Sequence, residues 1–404
     1  MKLSKVSQLV LVSAIGLVLA TVLSGCLYVT VDFVYVACSG GSGTNGTGQI
    51  QIYAVDSASG ALRPSGTTVA SGGSQPVSLV ATADYANLYV ANQSNSSVVH
   101  FTIGDFGQLT QSDAVTVPFV PASIAVNTAG TYLYVAGGST PGHVAVYPLS
   151  SGKIGTLASN TSLVVPGYAS DVLIATAVTV LANNAGVYVT AYDQSAYNPG
   201  GTVTSSANPG WLFGFAVGST GALTAATGSP YQAGVKPNAV TADPRSLFVY
   251  ATDFASNELI GYTIQNGTAL SFMLNGPFKT GSEPSALTID PRGLYVYVTD
   301  ALQNSISGYT LTLSNGTPSS NGGTSGASGG YSTDTEPVSI LVDPSQGVFV
   351  YTANYLGNSI TGSHLDPNTG SLSPNQATPY PTGQYPAAIA AIPHGNHAIQ
   401  IVTP

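Results

Sequence analysis

The sequence predicts an all-β protein: a closed ring of seven four-stranded antiparallel sheets, that is, a seven-bladed β-propeller. Three observations lead to this fold class. Only 6% of the 404 residues are charged, against roughly 25% in an ordinary soluble domain. A strand–turn–strand motif recurs along the chain at about the 40–50-residue period of propeller blades. The two ends of the chain carry fragments that complete one blade between them.

The composition favours strands joined by many turns and excludes a nucleic-acid partner. Glycine and proline number 47 and 25, and both residues are typical of tight turns. The net charge is −9, whereas nucleic-acid binding needs a basic patch. Outside the N-terminal leader the basic residues are scattered singly: Arg63, Lys153, Lys236, Arg245, Lys279 and Arg292.

Residues 1–25 have the features of a bacterial lipoprotein signal peptide. Lys2 and Lys5 precede an uncharged apolar run over residues 9–23, which is shorter than a membrane span of about 20 residues. The tetrad ending at Cys26 (Leu-Ser-Gly-Cys) resembles the lipobox, which implies cleavage before Cys26 and lipid on its thiol. We therefore expect residues 26–404 to be anchored through lipid to the bacterial cell envelope, at the outer membrane or cell surface. An uncleaved anchor and a plain secretory leader remain alternatives.

Cysteine usage excludes an internal disulfide in the mature chain. The sequence has two cysteines, and only Cys38 is free if Cys26 carries lipid. Stability must then come from the sheet core and from ring closure rather than from cross-links. Cys38 ends an apolar strand and is expected to act as a small buried hydrophobic residue.

Seven copies of one motif define the inner half of the predicted blades. Each copy has a proline, a short apolar strand (strand a), a turn, and a strand that alternates aromatic residues with valine (strand b). The copies begin at Pro76, Pro121, Pro166, Pro237, Pro284, Pro337 and Pro386, the copy at Pro166 being the weakest. Most copies continue with a third strand (strand c), a Gly-Xaa-Leu turn and a fourth strand (strand d). Small residues suit the centre of a propeller, and the aromatic rings pack between blades.

The two chain ends are expected to share one blade. Residues 48–62 match strand c and its turn, whereas the last copy, which starts at Pro386, lacks these elements. Such sharing closes the ring and leaves no exposed sheet edge. Residues 34–37 and residues 399–402 both match strand b, and the sequence does not decide between them.

Three longer segments are predicted to be insertions in this single domain, which we expect to be a monomer. In a propeller the b–c and d–a loops share one rim, here called the upper rim, and the a–b and c–d turns share the lower rim. Residues 38–48 and 193–210 are predicted to be b–c loops, and residues 314–335 a d–a loop. Their concentration on one side favours the upper rim as the recognition surface.

Polar residues recur at two upper-rim positions of consecutive blades. They are, before the proline of strand a, Lys236, Glu283 and Glu336, and at the end of strand b, Asp253, Asp300 and Asn354. Glu283, Asp300 and Glu336 are candidates to hold a divalent cation such as Ca²⁺, although the pattern requires no cofactor. Glu283, Glu336 and Lys236 are candidates for acid–base catalysis. The alternative is that the strand-b residues cap turns and that the glutamates are solvated surface charges.

Aromatic residues near the same rim suggest a binding surface for a carbohydrate or a protein. Tyrosine and tryptophan rings stack on apolar faces, and the surrounding amides and hydroxyls form adaptable hydrogen bonds. The candidates are Tyr192, Tyr197, Trp211, Tyr355 and Tyr385. The alternative is packing in the core, above all for Trp211 at the start of a strand.

The repeats resemble those of a known family. Segments such as Tyr295–Asp300 (YVYVTD) and Leu88–Asn92 (LYVAN) resemble YVTN-type repeats. With the Gly-Xaa-Leu turns they look like the seven-bladed lactonase-like propellers, which include 6-phosphogluconolactonase and muconate-lactone-cyclising enzymes. The resemblance covers about residues 30–404. It implies the seven-bladed fold, and it suggests lactone hydrolysis by histidine, glutamate and arginine side chains on the rim.

The sequence departs from that family pattern in its charged residues. His100, His143 and His364 fall on or beside strand c, and His394 and His397 fall in an a–b turn. Arg245 and Arg292 also lie in a–b turns, where aspartate and proline neighbours indicate a structural role. The sequence therefore predicts a lipid-anchored propeller that binds a ligand or a partner, with lactone hydrolysis by rim carboxylates as the alternative. Whether the protein is an enzyme stays open.

Overall fold

The protein is all-β, and its strands form seven small antiparallel sheets, as the sequence predicts. The computed structural model describes residues 29–40, 47–66, 68–167, 172–195, 209–321 and 330–395. Each sheet is one blade, numbered 1 to 7 in the order in which the innermost strands occur along the chain. Within the described residues, no helix has the length and apolar character needed to cross a bilayer.

Every blade has the same four strand positions, from strand a at the axis to strand d outside. In blades 1 to 7, strand a spans Pro76–Ala81, Pro121–Val126, Leu173–Val180, Pro237–Ala242, Pro284–Ile289, Pro337–Val342 and Pro386–Pro393. Strand b spans Asn87–Asn92, Tyr132–Gly137, Gly186–Asp193, Phe248–Asp253, Tyr295–Asp300, Phe349–Asn354 and Thr30–Cys38. Strand c spans Ser97–Ile103, His143–Ser150, Gly210–Val217, Glu258–Gln265, Ser305–Leu311, Ser359–Leu365 and Thr47–Asp56.

Strand d is continuous only in blade 1, where it spans Leu109–Thr116. In blades 2 to 7 it is split into two short pieces that both pair with strand c. These pieces are Lys153–Ile154 and Ser159–Ser162, Leu223–Ala225 and Tyr231–Gln232, Ala269–Phe272 and Phe278–Lys279, Pro318–Ser320 and Tyr331–Ser332, Leu372–Pro374 and Tyr380–Pro381, and Leu62–Pro64 and Val69–Ser74.

The ring closes through blade 7, which takes strands from both ends of the chain. Thr30–Cys38 is its strand b and pairs with Pro386–Pro393, its strand a. Each strand a contacts the next around the ring, and that of blade 7 contacts those of blades 6 and 1. The strand-b position therefore belongs to the N-terminal segment; residues 399–402, the other candidate, lie outside the described residues. Cys38 is buried in this blade, as expected.

Two expectations about blade boundaries were wrong. Strand a of blade 3 begins at Leu173, and Pro166 lies in a turn before it. Leu173 and Ala175 are buried in the core between blades 2 and 3, so apolar packing defines this strand without a proline. The segment 314–335 is not a d–a loop, because both pieces of strand d of blade 5 fall inside it. The two strand pieces lie at the outer edge of the blade, and residues 333–335 connect strand d to the next strand a.

A tyrosine of strand b joins most blades to the c–d turn of the next blade. The Tyr297 hydroxyl donates to the Gly370 carbonyl and the Tyr351 hydroxyl to the Gly60 carbonyl, each at 2.7 Å. Gly60 has a φ of 64°, and a Cβ there would lie 2.4 Å from the Phe349 ring. Only glycine fits this turn, which explains why Gly-Xaa-Leu recurs in the sequence.

The a–b turns of the lower rim are organised by buried aspartates, as the sequence indicates. Asp243 accepts the backbone N–H groups of Leu247 and Phe248 at 2.6 and 2.9 Å, and its other oxygen pairs with Arg245 at 2.9 Å. Asp290 and Arg292 repeat this arrangement one blade later. These two arginines therefore serve the turns.

Candidate functional site

The residue before the proline of strand a is held at the upper rim by two backbone hydrogen bonds. In blade 5 the Glu283 N–H donates to Asn257 Oδ1 of blade 4 at 2.8 Å, and its carbonyl accepts the Ala301 N–H at 2.9 Å. In blade 6 the Glu336 N–H donates to Asn304 Oδ1 at 2.8 Å. Each glutamate is thus fixed both to its own blade and to the preceding one.

These rim residues share an unusual backbone conformation. Glu283, Glu336 and Tyr385 have φ values of 56°, 57° and 56°, in the left-handed region that residues other than glycine rarely adopt. Such a conformation costs on the order of 1–3 kcal/mol and is concentrated at functional sites. Hydrogen bonds from their N–H groups to asparagine side chains fix the backbone of the three residues on consecutive blades.

Three charged side chains of neighbouring blades lie close enough to affect one another. Burial raises the pKa of the Glu336 carboxyl, and the charge of Glu283 raises it further. Burial lowers the pKa of the Lys236 ammonium, and the Glu283 charge opposes that change. Glu283 therefore lies between a cation on blade 4 and a second carboxylate on blade 6.

Aromatic rings flank this charged group on both sides. The Lys236 ammonium lies 4.2 Å from the centre of the Phe254 ring and 5.7 Å from that of Tyr192, within cation–π range. At the other end the rings of Tyr355 and Tyr385 are 5.0 Å apart. We call this surface the rim cluster. It consists of Tyr192, Lys236, Phe254, Glu283, Glu336, Tyr355 and Tyr385.

The side chains of the candidates at the end of strand b lie beneath the surface and form hydrogen bonds with neighbouring protein groups. Asp253 is fully buried and accepts the N–H groups of Lys236 and Val235 at 3.0 and 2.8 Å. Asn354 is also fully buried and donates to the hydroxyls of Ser359 and Thr361, both at 3.0 Å. Asp253 therefore supports the loop that carries Lys236, whereas Asn354 joins the end of strand b to strand c of its own blade.

Asp300 is separated from the glutamates in the same way. It is fully buried, and its Oδ2 accepts hydrogen bonds from Ser307 and Ser305 at 2.7 and 3.3 Å. Burial raises its pKa to about 7. In the described part of the chain no three His, Cys, Asp or Glu side chains are grouped to hold a metal ion. The prediction of a divalent-cation site thus gains no support from the geometry.

Three other sequence candidates are not part of the rim cluster as described. Trp211 packs against the core between blades 2 and 3, which was the alternative reading of this residue. Tyr197 and Cys26 lie outside the described residues.

Some residues of the site were missed in the sequence. Asn257, Asn304 and Asn358 each precede a strand c, and this recurrence was a usable signal. Phe254 follows strand b at the same position as Tyr355, which the sequence predicts to be part of the binding surface. His143, which the sequence places on or beside strand c, begins that strand on the upper rim and lines a pocket there.

The protein is a seven-bladed propeller with a polar site on its upper rim. Comparison with known families identifies the family to which this propeller belongs. The model of the family described as "Lactonase, 7-bladed beta-propeller" matches residues 33–170 and 216–400. Because these segments make up most of the chain, the protein belongs to this family. A search of curated protein sequences gave no significant match.

Solved structures of similar architecture agree with this assignment of the fold. The periplasmic gluconolactonase of Pseudomonas aeruginosa superposes with a TM-score of 0.70 at 18% identity, covering 90% of this chain and 99% of that one. A Bacteroides uniformis protein proposed to be a 6-phosphogluconolactonase gives 0.71 at 16% identity, with coverage of 90% and 99%. A protein from Lactobacillus plantarum gives 0.71 at 17% identity, with coverage of 90% and 100%. At these identities the likeness shows the fold.

Proposed function

We propose that the rim cluster binds a small polar ligand of the carbohydrate class, including sugar lactones. The observation that carries this proposal is the grouping of one lysine and two glutamates between aromatic rings. Carboxylates and an ammonium group form strong hydrogen bonds to hydroxyl and carbonyl groups, and tyrosine rings pack on the apolar face of a sugar ring. The backbone of Glu283 and Glu336 is held by hydrogen bonds to two blades, so the binding surface is formed before the ligand arrives.

Hydrolysis of a bound lactone is the second candidate activity, favoured by the pKa changes in the cluster. Glu336, whose pKa is raised by burial and by Glu283, would take a proton from water as the water oxygen attacks the lactone carbonyl carbon. The Lys236 ammonium would stabilise the resulting oxyanion. The ring C–O bond then breaks, and the leaving ring oxygen takes the proton from Glu336, which yields the hydroxy acid. The family membership supports this reaction class.

The test measures binding and ring opening separately in the same variants. We expect Lys236→Met and Glu336→Gln each to weaken binding of D-glucose or D-glucono-1,5-lactone about tenfold or more, because hydrogen bonds to charged groups contribute about 1.5–3 kcal/mol. Ligand-observed NMR reports binding, and a pH-stat reports ring opening. If the protein is a hydrolase, Glu336→Gln lowers the rate by about 10²–10⁴-fold.

The matched control is Lys279→Met, which removes an exposed lysine paired with Glu258 on the outer part of blade 4. Unchanged binding in both cluster variants contradicts the proposed function. Loss of binding without any ring opening in the unmodified protein supports the binding role and contradicts hydrolysis.

We also propose that the propeller is anchored to a membrane through lipid on Cys26. Strand b of blade 7 begins at Thr30 and runs from the lower rim to the upper rim. Only residues 27–29 separate Cys26 from this strand. The Cα atoms of Cys26 and Thr30 are therefore at most about 14 Å apart. The anchor would then hold the lower rim beside the membrane and leave the rim cluster facing away from it.

This anchoring predicts a specific biochemical result. Labelled palmitate should be incorporated by the unmodified protein expressed in a bacterium, and Cys26→Ser should abolish the label and release the protein from the membrane fraction. Cys38→Ser is the control, because this thiol is buried and should not affect labelling. A membrane-bound, unlabelled protein would indicate an uncleaved anchor instead.

A further inference from the structure

A cavity opens on the upper rim, next to the surface formed by the rim cluster. It has a volume of about 540 Å³ and lies over blades 1 to 3, within the usual range for small-molecule sites. Its apolar walls include Phe119, Val120, Pro121, Pro141 and Ile174, and the uncharged polar residues Gln93, Ser139, Thr140 and His143 complete the lining. Among the described residues, no aspartate, glutamate, lysine or arginine lines it, in contrast to the charged rim positions of blades 4 to 6. We call it the apolar pocket.

The walls of the apolar pocket are fixed by close contacts between blades 2 and 3. The Gly138 N–H donates to the Val120 carbonyl at 3.0 Å, and the Ala175 N–H donates to the Gly138 carbonyl at 3.3 Å. A Cβ at Gly142 would lie 2.9 Å from the Ala175 nitrogen, so glycine is needed where these backbones meet. The pocket is therefore part of the rigid ring.

One polar atom of the pocket wall has no hydrogen-bond partner in the part of the chain that the structure describes. The imidazole of His143 stacks on Phe119 with ring centres 5.5 Å apart and an interplanar angle of 12°. Its Nδ1 is buried and makes no hydrogen bond within the described residues. A buried polar atom of this kind usually has a partner, so the unpaired Nδ1 is an exception in the wall of this pocket.

The apolar pocket and the rim cluster meet at one strand pair of blade 3. Ile174 of the pocket wall pairs in register with Tyr192, and the Tyr192 ring lies beside the Lys236 ammonium. One strand pair therefore separates the apolar walls from the charged groups. A ligand that bridges the two must carry an apolar part and a polar part.

We infer that the apolar pocket is a subsite for an alkyl or aryl substituent of the ligand whose polar ring occupies the rim cluster. The inference rests on the proposed binding function of that cluster. The preferred ligand class is then a lactone or sugar-like ring bearing an apolar arm. A phosphorylated arm does not fit the described walls of this pocket, because a phosphate needs cationic partners and the lining residues that the structure describes supply none.

The experiment uses δ-lactams with straight alkyl substituents of zero to six carbons, which report binding without depending on ring opening. We expect the dissociation constant, measured by calorimetry on the full chain, to fall about fourfold for each buried methylene. Val120→Ser and Ile174→Ser should flatten this dependence and leave the unsubstituted lactam within about twofold. Val120 is 52% exposed, so its replacement should not disturb folding.

Leu247→Ser is the matched control, since Leu247 is 46% exposed on the opposite rim. A dissociation constant independent of chain length, or a dependence that survives both pocket variants, overturns the inference. If the pocket variants flatten the dependence while Lys236→Met leaves the unsubstituted lactam unaffected, the pocket is supported and the proposed role of the rim cluster is contradicted.

Discussion

Replacing Asp290 by alanine is expected to lower the free energy of unfolding by roughly 3–5 kcal/mol, the range for breaking a buried ion pair. Asp290 is fully buried, and its Oδ1 accepts the N–H groups of Leu294 and Tyr295 at 2.6 and 2.7 Å. Its Oδ2 accepts the Arg292 Nε–H at 2.8 Å. Arg292 is itself only 9% exposed, so the variant removes the carboxylate partner of a buried cation and the acceptor of the Leu294, Tyr295 and Arg292 N–H groups.

The matched control is Lys279→Ala, which removes an ion pair of similar length whose lysine is exposed to solvent. Lys279 contacts Glu258 at 2.6 Å with a side chain that is 67% exposed, and exposed pairs contribute about 0–1 kcal/mol. Urea denaturation followed by tyrosine fluorescence and by circular dichroism measures both variants. Similar losses for the two variants would contradict the structural role assigned to Asp290.

The fold could be predicted from the sequence because each blade repeats the same local chemistry. A proline before strand a and the aromatic–valine alternation of strand b mark six of the seven blades directly. Blade 3 escaped the rule because Leu173 begins its inner strand without a proline, and burial against blade 2 alone defines that strand. Segment 314–335 was misplaced for a related reason: the short pieces of strand d carry little pattern of their own.

The candidate site was predicted in part, because register fixes where a residue lies along a strand but not which way its side chain turns. The position before strand a correctly placed Lys236, Glu283 and Glu336 on consecutive blades. The position at the end of strand b placed Asp253 and Asp300 nearby, yet loop N–H groups draw the Asp253 carboxylate inward and strand-c hydroxyls do the same for Asp300. The apolar pocket was missed because contacts between blades create it, and no single repeat contains them.

Asp32 should make the protein less stable as the pH rises, and Asp32→Asn should remove this loss. Asp32 lies at the start of blade 7, fully buried, with Ser345 donating to its Oδ2 at 2.9 Å and its Oδ1 without a partner among the described residues. Burial raises its pKa to about 9, and the nearby charge of Asp343 contributes to the increase. The carboxyl is therefore protonated in the folded protein at neutral pH.

The sign of the pH dependence follows from the proton balance between the two states. Above about pH 4 the unfolded chain has an ionised Asp32, whereas the folded chain keeps the proton until the pH reaches about 9. The stability from this group is thus complete below pH 4 and decreases by up to about 1.4 kcal/mol per pH unit as the pH rises towards 9. Asp300, with a pKa of about 7, acts in the same direction, so only the interval from pH 7 to 9 isolates Asp32.

Asparagine keeps the shape of the protonated acid and cannot ionise, so Asp32→Asn should be more stable than the unmodified protein at pH 8 by about 1 kcal/mol or more. Thermal unfolding recorded at pH 6, 7, 8 and 9 should show a midpoint that falls with pH in the unmodified protein and less steeply in the variant above pH 7. The exposed Asp105→Asn variant is the control and should keep the original slope. Parallel pH profiles for Asp32→Asn and the unmodified protein would contradict this prediction. They would show that Asp32 is already ionised in the folded protein, beside the charge of Asp343.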